Sequence, residues 1–555
     1  MVALRRAVAP LLLLAIGILF FPAGGRDDAH IGYWVALGLS RFGRVINYNG
    51  EAIEQSSTLL HALLLAAAHR LSGIDMIILG HLSAIVFGVA AVLLTQQLAT
   101  RVDRRLAVPT GLLTASSAYF AYWSFGGMEA TLCALLAVWI VLLFGDFVSR
   151  SNERLISAKL LWIAVAMLAF LLVRPEQPLV LFCMLIGAAA FAFWRRDYIG
   201  QRIIPLVVVA VVMVAAIFLW RWHTFGSLFP QPVSAKSGSL SAHTLKSGLR
   251  YYRKQIILEP GVALFTTAAL AGIFFAIRKI LREKTPNAHL VFALLFFGSY
   301  AAFVLLAGGD WMEAGRFVVP LLPIAALFVA FALSQFSPSR ARIAAIVLAL
   351  AQVSAIYRVA AHDSTAIPFW SSVTTEPYAT EMRSLDFTWF ERANRPNLRD
   401  IPTVRRLDAL VRQLRAAKSD AEPVRMMSAQ LGMVAYYVVG RHFGHVEILD
   451  RRGLVDRRFS SCPLLGKLDR TAGGLQLNYE YYFAHRAELE RDCAIPRPDI
   501  IFDIGDAPVM SDYTVVYTQT GTIRTDSRFL PGSAFRASQF IAVRNDWLPA
   551  LHAGE

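Results

Sequence analysis

Residues 159–195 read KLLWIAVAMLAFLLVRPEQPLVLFCMLIGAAAFAFWR. Two apolar runs, 160–173 and 177–194, flank the polar triplet Arg174-Pro175-Glu176. Basic residues lie beyond both outer ends, in the segments Arg150 to Lys159 and Arg195 to Arg202. A bilayer core of about 30 Å takes about 20 mainly apolar residues to cross as a helix. The stretch therefore predicts a membrane hairpin. Its positive flanks lie on one side and Arg174-Pro175-Glu176 on the other.

The same grammar repeats along the chain. Further basic segments are Arg5-Arg6, Arg101 to Arg105, Arg278 to Lys284 and Arg340 to Arg342. They alternate with connections of mixed charge, which is the positive-inside pattern. The predicted crossings are 7–24, 74–99, 106–121, 128–145, 160–173, 177–194, 203–220, 259–278, 288–306, 317–334 and 342–357, about eleven in all. Apolar runs stop there, so residues 1–357 read as a transmembrane domain and 358–555 as a soluble domain. The N-terminus falls inside and the C-terminal domain outside the membrane. A cleaved signal peptide would also place Arg5-Arg6 before an apolar run; the polar motif that follows favours a retained anchor. Between the first two crossings, 57–71 is apolar but holds His61, His69 and Arg70, which suits a helix lying in the interface.

The chain of 555 residues is 56% hydrophobic and 17% charged. Its net charge of +15 sits largely in the short inner segments, so it reports topology and not nucleic-acid binding. The outer connections collect Asp27-Asp28, Glu51, Glu54, Gly126-Gly127-Met128-Glu129, Arg174-Pro175-Glu176, the stretch 221–255, and Gly308-Gly309-Asp310-Trp311 with Arg316. Ionisable residues at membrane boundaries are functional candidates, although any single one can simply anchor a helix end. Carboxylates can deprotonate or orient a hydroxyl. Arginine and lysine can hold a phosphate. Trp34, Tyr48, Trp123, Trp222 and Trp311 could stack on sugar faces. Together these suit transfer of a sugar from a lipid phosphate to a hydroxyl.

These residues carry a resemblance. Asp27-Asp28-Ala29-His30-Ile31, then Asn47-Tyr48-Asn49-Gly50-Glu51-Ala52-Ile53-Glu54, is similar to the first outer loop of GT-C-fold bacterial membrane glycosyltransferases related to mycobacterial terminal arabinofuranosyltransferases. Gly127-Met128-Glu129, Arg174-Pro175-Glu176, Phe225 to Pro230 with Lys236, and Gly308 to Met312 with Arg316 resemble that family's later motifs in order. Gly432, Tyr436, Asp450, Gly453-Leu454 and Asp456 resemble a pattern in its soluble domain. The sequence departs from the pattern at His30, Gln55 and Gln231.

The resemblance implies a GT-C-like α-helical polytopic membrane protein with a C-terminal extracytoplasmic α/β domain. It implies a sugar, arabinofuranose being the candidate, moved from a polyprenyl-phosphate donor to a cell-envelope glycan or glycolipid. Asp27 or Asp28 would be the base or acceptor-orienting group, the other free to cap the following helix. Glu54 would be a second carboxylate. Arg174 and Arg316 would clamp the donor phosphate, with Glu129 and Glu176 orienting them. Asp310 would be catalytic or cap a turn, and Lys236 is a further substrate contact. Histidines lack metal-ligand spacing, so no zinc site is expected; a divalent cation bridging carboxylate and phosphate fits the chemistry.

Two other classes share the broad pattern. A lipid-linked-sugar flippase or transporter would show paired repeats or ionisable groups near mid-membrane. A noncatalytic envelope-assembly or motility-associated protein on the same fold would differ only in activity. Of the four cysteines, Cys133 and Cys183 lie in predicted crossings as buried hydrophobes, and Cys462 and Cys493, in the outer domain, are expected to pair.

Overall fold

The computed structural model describes residues 2–21, 28–149, 156–195, 199–236, 242–257, 260–310, 312, 314–362, 400–418, 422–429, 431–471, 474–504, 507–508, 510–524 and 534–552. Among the described residues sixteen α-helices fill its first two thirds: α1 (Val2–Phe20), α2 (Ala29–Phe42), α3 (Leu59–Ser72), α4 (Met76–Val102), α5 (Ala107–Ala115), α6 (Ala118–Trp123), α7 (Ala130–Ser149), α8 (Ile156–Val173), α9 (Gln177–Arg195), α10 (Ile199–Phe225), α11 (Gln231–Lys236), α12 (Ala242–Tyr252), α13 (Pro260–Arg282), α14 (Ala288–Leu306), α15 (Leu322–Leu333) and α16 (Pro338–His362). Among the described residues eight helical segments are long and apolar enough to cross a membrane, and 6–20, 59–72 and 160–173 are shorter apolar helices. This is a multi-pass membrane protein.

The chain separates into two compact units. One comprises Met1–Gly24, His81–Trp220 and Leu240–Trp370; the other comprises Gly25–Gly80, Arg221–Ser239 and Ser371–Glu555. The first connection and the 221–239 segment therefore cluster with the C-terminal residues, whereas the sequence divided the chain once, after 357.

In the first unit α7 and the segment Arg316–Leu333 form the interior, with 78% and 89% of their apolar windows buried, against 22% for α10 and α16. Outward apolar faces on α10 and α16 suit helices bathed in lipid. The expected crossing 106–121 is not one helix. It breaks at Ser116-Ser117, where Ser117 turns extended (φ −65°, ψ 119°). The resulting pieces have 9 and 6 residues, so neither spans a bilayer. Hydropathy misses this break because both pieces are apolar and buried. Cys183 is also not buried as expected. It shares an outward stripe of α9 with Leu179 and Ile186.

The second unit carries a five-stranded sheet in the order β2-β1-β5-β7-β6. Its strands are β1 (Val424–Ser428), β2 (Val446–Asp450), β5 (Ile500–Ile504), β6 (Tyr513–Arg524) and β7 (Ala534–Arg544); β3 (Arg470–Thr471) and β4 (Gly474–Leu475) form a separate short ladder. β1 pairs parallel with both β2 and β5, and β7 runs antiparallel to β5 and β6. Helix α17 (Asp400–Ala417) precedes β1, and α18 (Met433–Arg441) is the crossover from β1 to β2. The parallel strands read as apolar runs, such as Ile500-Ile501-Phe502, because both faces of such a sheet are covered.

Cys462 and Cys493 are joined by a disulfide, with Cα atoms 5.4 Å apart. It closes a loop over the core of Phe459, Leu465, Tyr482 and Leu489. Reduction is expected to destabilise this domain by about 3–4 kcal/mol by the chain-entropy argument. Peptide mapping of the non-reduced protein should find the 462–493 link, and two free thiols in freshly isolated membranes would overturn it.

Candidate active site

In the first unit three sequence motifs meet around one aromatic ring. Arg174 directly follows α8 and Glu176 immediately precedes α9, so the turn through the proline between them sets the two side chains at a polar corner. Arg174 Nε donates to Glu176 Oε1 at 2.6 Å. Its Nη1 donates to Glu129 Oε1. Glu129 stands just before α7, after Gly127 takes a left-handed turn (φ +70°). All three side chains are buried. Tyr300 of α14 reaches Glu176 Oε1 at 3.5 Å. The Arg174 guanidinium lies over the Phe317 ring, 4.8 Å from its centroid.

The same ring receives a second arginine. Arg316 sits 5.4 Å from the Phe317 centroid, and its Nε donates to Asp310 Oδ2 at 2.7 Å. Several described positions between Leu306 and Arg316 have left-handed backbones. Gly309 has φ +80°, and a Cβ there would come within 2.4 Å of the Tyr251 side chain, so only glycine fits before Asp310. Ala314 and Gly315 are also left-handed (φ 49° and 57°). Trp123 Nε1 fixes this turn by donating to the Ala314 carbonyl at 2.9 Å. Trp311 lies outside the described residues.

Buried ion pairs gain little net stability when intact and cost much when broken, because the survivor is left charged and unpaired. Such a cluster holds two guanidiniums in fixed planes. That geometry is what recognition of a phosphate needs.

The second unit carries the first connection. Asp28 immediately precedes α2, is half-buried, and makes no side-chain cap hydrogen bond to that helix. Asp27 lies outside the described residues. Glu54 forms a bidentate pair with Arg221, with Nε to Oε2 at 2.9 Å and Nη2 to Oε1 at 3.0 Å. Burial pushes the Glu54 carboxyl above its ordinary range, and Arg221 opposes that shift. Lys236 ends α11 and is half-buried.

The loop 47–55 is an elaborate structural joint. Asn47 Oδ1 accepts from the amides of Asn49 and Glu51, and its Nδ2 donates to the Val455 carbonyl at 3.0 Å. Asn49 exchanges hydrogen bonds with the Ile448 backbone. Two of the three departures from the resembled pattern, Gln55 and Gln231, have structural jobs here. Gln55 Oε1 accepts from the Tyr48 amide at 3.0 Å. Gln231 Nε2 donates to the Gly453 carbonyl at 2.8 Å and to Ser460 Oγ. The Asp450–Asp456 motif forms the receiving turn. Asp450 accepts from the amides of Arg452 and Val455, and burial pushes its carboxyl up to about 7. Asp456 caps the short helix Arg457–Ser461 and holds the Arg458 guanidinium.

Each unit thus gathers its own set: Glu129, Arg174, Glu176, Asp310 and Arg316 in the first, Asp28, Glu54 and Lys236 in the second. The aromatic expectation needs correcting. Trp34, Tyr48 and Trp123 are buried, and Trp34 and Trp123 spend their indole N–H groups on backbone carbonyls, so they offer no open face to a sugar. Trp222 is exposed. Sequence reasoning missed Phe317, although it adjoins Arg316, and missed Tyr300; Arg221 and Tyr251 fell within the outer stretch 221–255 but were not singled out.

No family model matches the sequence, and no curated protein sequence matches it. Solved structures do. ArnT from Cupriavidus metallidurans in the apo state aligns with TM-score 0.55 and 13% identity over 97% of each chain. The same enzyme bound to undecaprenyl phosphate aligns with TM-score 0.50 and 14% identity over 97% of each chain. The archaeal oligosaccharyltransferase AglB from Archaeoglobus fulgidus, in complex with an inhibitory peptide and a dolichol-phosphate, aligns with TM-score 0.50 and 13% identity over 90% of this chain and 69% of its own. At these identities the likeness is one of architecture, and the chain has the GT-C-like fold: a polytopic helical membrane domain followed by a C-terminal α/β domain.

Proposed function

We propose that this protein is a glycosyltransferase that moves a sugar from a polyprenyl-phosphate donor to a hydroxyl of a cell-envelope glycan or glycolipid. The observation that carries the reading is the convergence of Glu129, Arg174, Glu176, Asp310 and Arg316 on Phe317. Two arginines held by carboxylates within a membrane unit suit an anionic headgroup whose lipid tail stays in the bilayer. Two fold neighbours are recorded with polyprenyl phosphates, which supports the donor class. Arabinofuranose is the sugar we place first, on the motif resemblance alone.

In this reading Arg174 and Arg316 hold the donor phosphate, and Glu129, Glu176 and Asp310 set their planes. Asp27 or Asp28 takes the proton of the acceptor hydroxyl as its oxygen attacks the anomeric carbon and the polyprenyl phosphate leaves. Lys236 contacts substrate. Glu54 is reassigned: engaged on both oxygens by Arg221, it positions the first connection instead of touching substrate. Among the described residues no three His, Cys, Asp or Glu side chains are grouped to hold a metal ion.

The reaction is placed at the outer face of the bacterial inner membrane, with the C-terminal domain extracytoplasmic. The disulfide supports that compartment. A topology reporter fused after Glu555 is expected to read as non-cytoplasmic; a cytoplasmic signal would remove the outer-face assignment. The activity itself is tested by incubating membranes with a panel of radiolabelled polyprenyl-phosphate sugars. One donor should be consumed, and consumption of none, with the protein correctly inserted, would sink the enzyme reading in favour of an assembly role.

A further inference from the structure

Helix α12 and the turn that follows it, residues 242–257, contain no acidic residue but carry Lys246, Arg250, Arg253 and Lys254. Leu245 and Leu249, four residues apart, are 41% and 56% exposed. Lys246, Arg250 and Arg253 are exposed beside them, again at helical spacing. None of these three cations forms an ion pair with a described residue. An apolar stripe flanked by cations describes a helix that lies in a membrane interface.

The opposite face is fixed. A Cβ on Gly248 would come within 2.1 Å of the Leu305 carbonyl, so the helix backbone lies directly on the end of α14. Tyr252 donates to the Ala301 carbonyl at 2.7 Å. Tyr251 accepts from the Phe317 amide at 3.3 Å and packs on Gly309. The exposed face is therefore held in one orientation, and its inner side braces the loop that bears Asp310 and Arg316.

We propose that α12 is a docking helix for anionic phospholipid, its two leucines entering the acyl boundary and Lys246, Arg250 and Arg253 engaging headgroup phosphates. Charge complementarity selects the occupant: a cationic stripe with no acidic residue prefers an anionic leaflet over a zwitterionic one. Elsewhere the crossings owe their orientation to cations on the other side, so these cations are not part of that signal. The proposal does not depend on which sugar is transferred or on whether transfer occurs.

The test uses full-length protein reconstituted in vesicles containing a trace of photoactivatable phosphatidylglycerol, with peptide mapping of the crosslinks. Labelling should map to 242–257, exceed that from a phosphatidylcholine analogue, and fall at least about tenfold in the K246Q/R250Q/R253Q variant. A control variant, R101Q/R104Q/R105Q, should leave it unchanged. Equal labelling by the two analogues would overturn the proposal, as would undiminished labelling in K246Q/R250Q/R253Q. So would displacement by excess inorganic phosphate, which would instead mark a site for the free anion. Each readout is binding, so it stands apart from any loss of transfer activity.

Discussion

In membranes given the donor that the wild type consumes, the Asp27→Asn/Asp28→Asn double variant is expected to transfer sugar about 10²–10⁴-fold more slowly. The carboxamide keeps the size of the side chain but cannot accept the proton that the acceptor hydroxyl must lose. Asp28 gives α2 no side-chain cap bond, so its replacement costs the helix no cap. The helix that follows is held independently: its buried residues include Tyr33, Trp34 and Val35. Insertion and thermal unfolding should therefore match the wild type. The single variants will show which aspartate carries the reaction. Near-normal transfer by both singles and the double would place the base elsewhere.

Arg174→Ala should have the other large effect, and it acts on two quantities at once. It leaves the buried Glu129 and Glu176 carboxylates facing a vacated site, at a cost of about 3–5 kcal/mol. It also removes one arm of the proposed phosphate clamp. Arg174→Lys returns the charge without the fork and should fold better while using the donor poorly. A further variant separates the two roles. Arg174→Met with Glu129→Gln and Glu176→Gln removes every charge of the triad, so much of the stability should return while donor use stays lost. Thermal unfolding in detergent reads the first quantity and donor KM the second. Unchanged donor KM in Arg174→Lys and in Arg316→Ala, with folding intact, would reduce both arginines to anchors.

The membrane architecture was legible because a helix in lipid must satisfy its backbone internally and cover itself with apolar side chains. That makes α7, α9 and α14 visible as runs. The same signal is blind to Ser116-Ser117, where an apolar run changes direction without a change in composition. The motif residues Arg174, Glu176, Glu129, Asp310 and Arg316 were legible as chemistry, yet nothing in their spacing gave Phe317 as the surface between the two guanidiniums. Arg221 was hidden for a similar reason. It lies 167 residues from Glu54 and opens the outer stretch 221–255, where nothing in its spacing names a partner. Trp34 and Trp123 misled because an aromatic ring with one polar atom serves a core as well as a sugar site. Cys183 was placed inside because apolar context in a membrane protein does not tell protein from lipid. The parallel strands β1, β2 and β5 were not read individually, since a short apolar run is equally a strand or a buried helical turn.

The joint between the first connection and the soluble domain has a consequence for how the chain is made. Asn47 binds the Val455 carbonyl across 408 residues, and Asn49 binds Ile448 across 399. The loop leaves the ribosome near the beginning of synthesis, and its partners come near the end. At about 5–20 residues per second the interval is roughly 20–80 s. Through that time Asn47 and Asn49 lack the acceptors that they finally use and Tyr48 lacks its cover; Gln231, 222 residues from Gly453, waits about half as long. Nascent chains halted before residue 446 should therefore carry a protease-sensitive 47–55 segment, which becomes resistant only after β2 and its following turn have emerged.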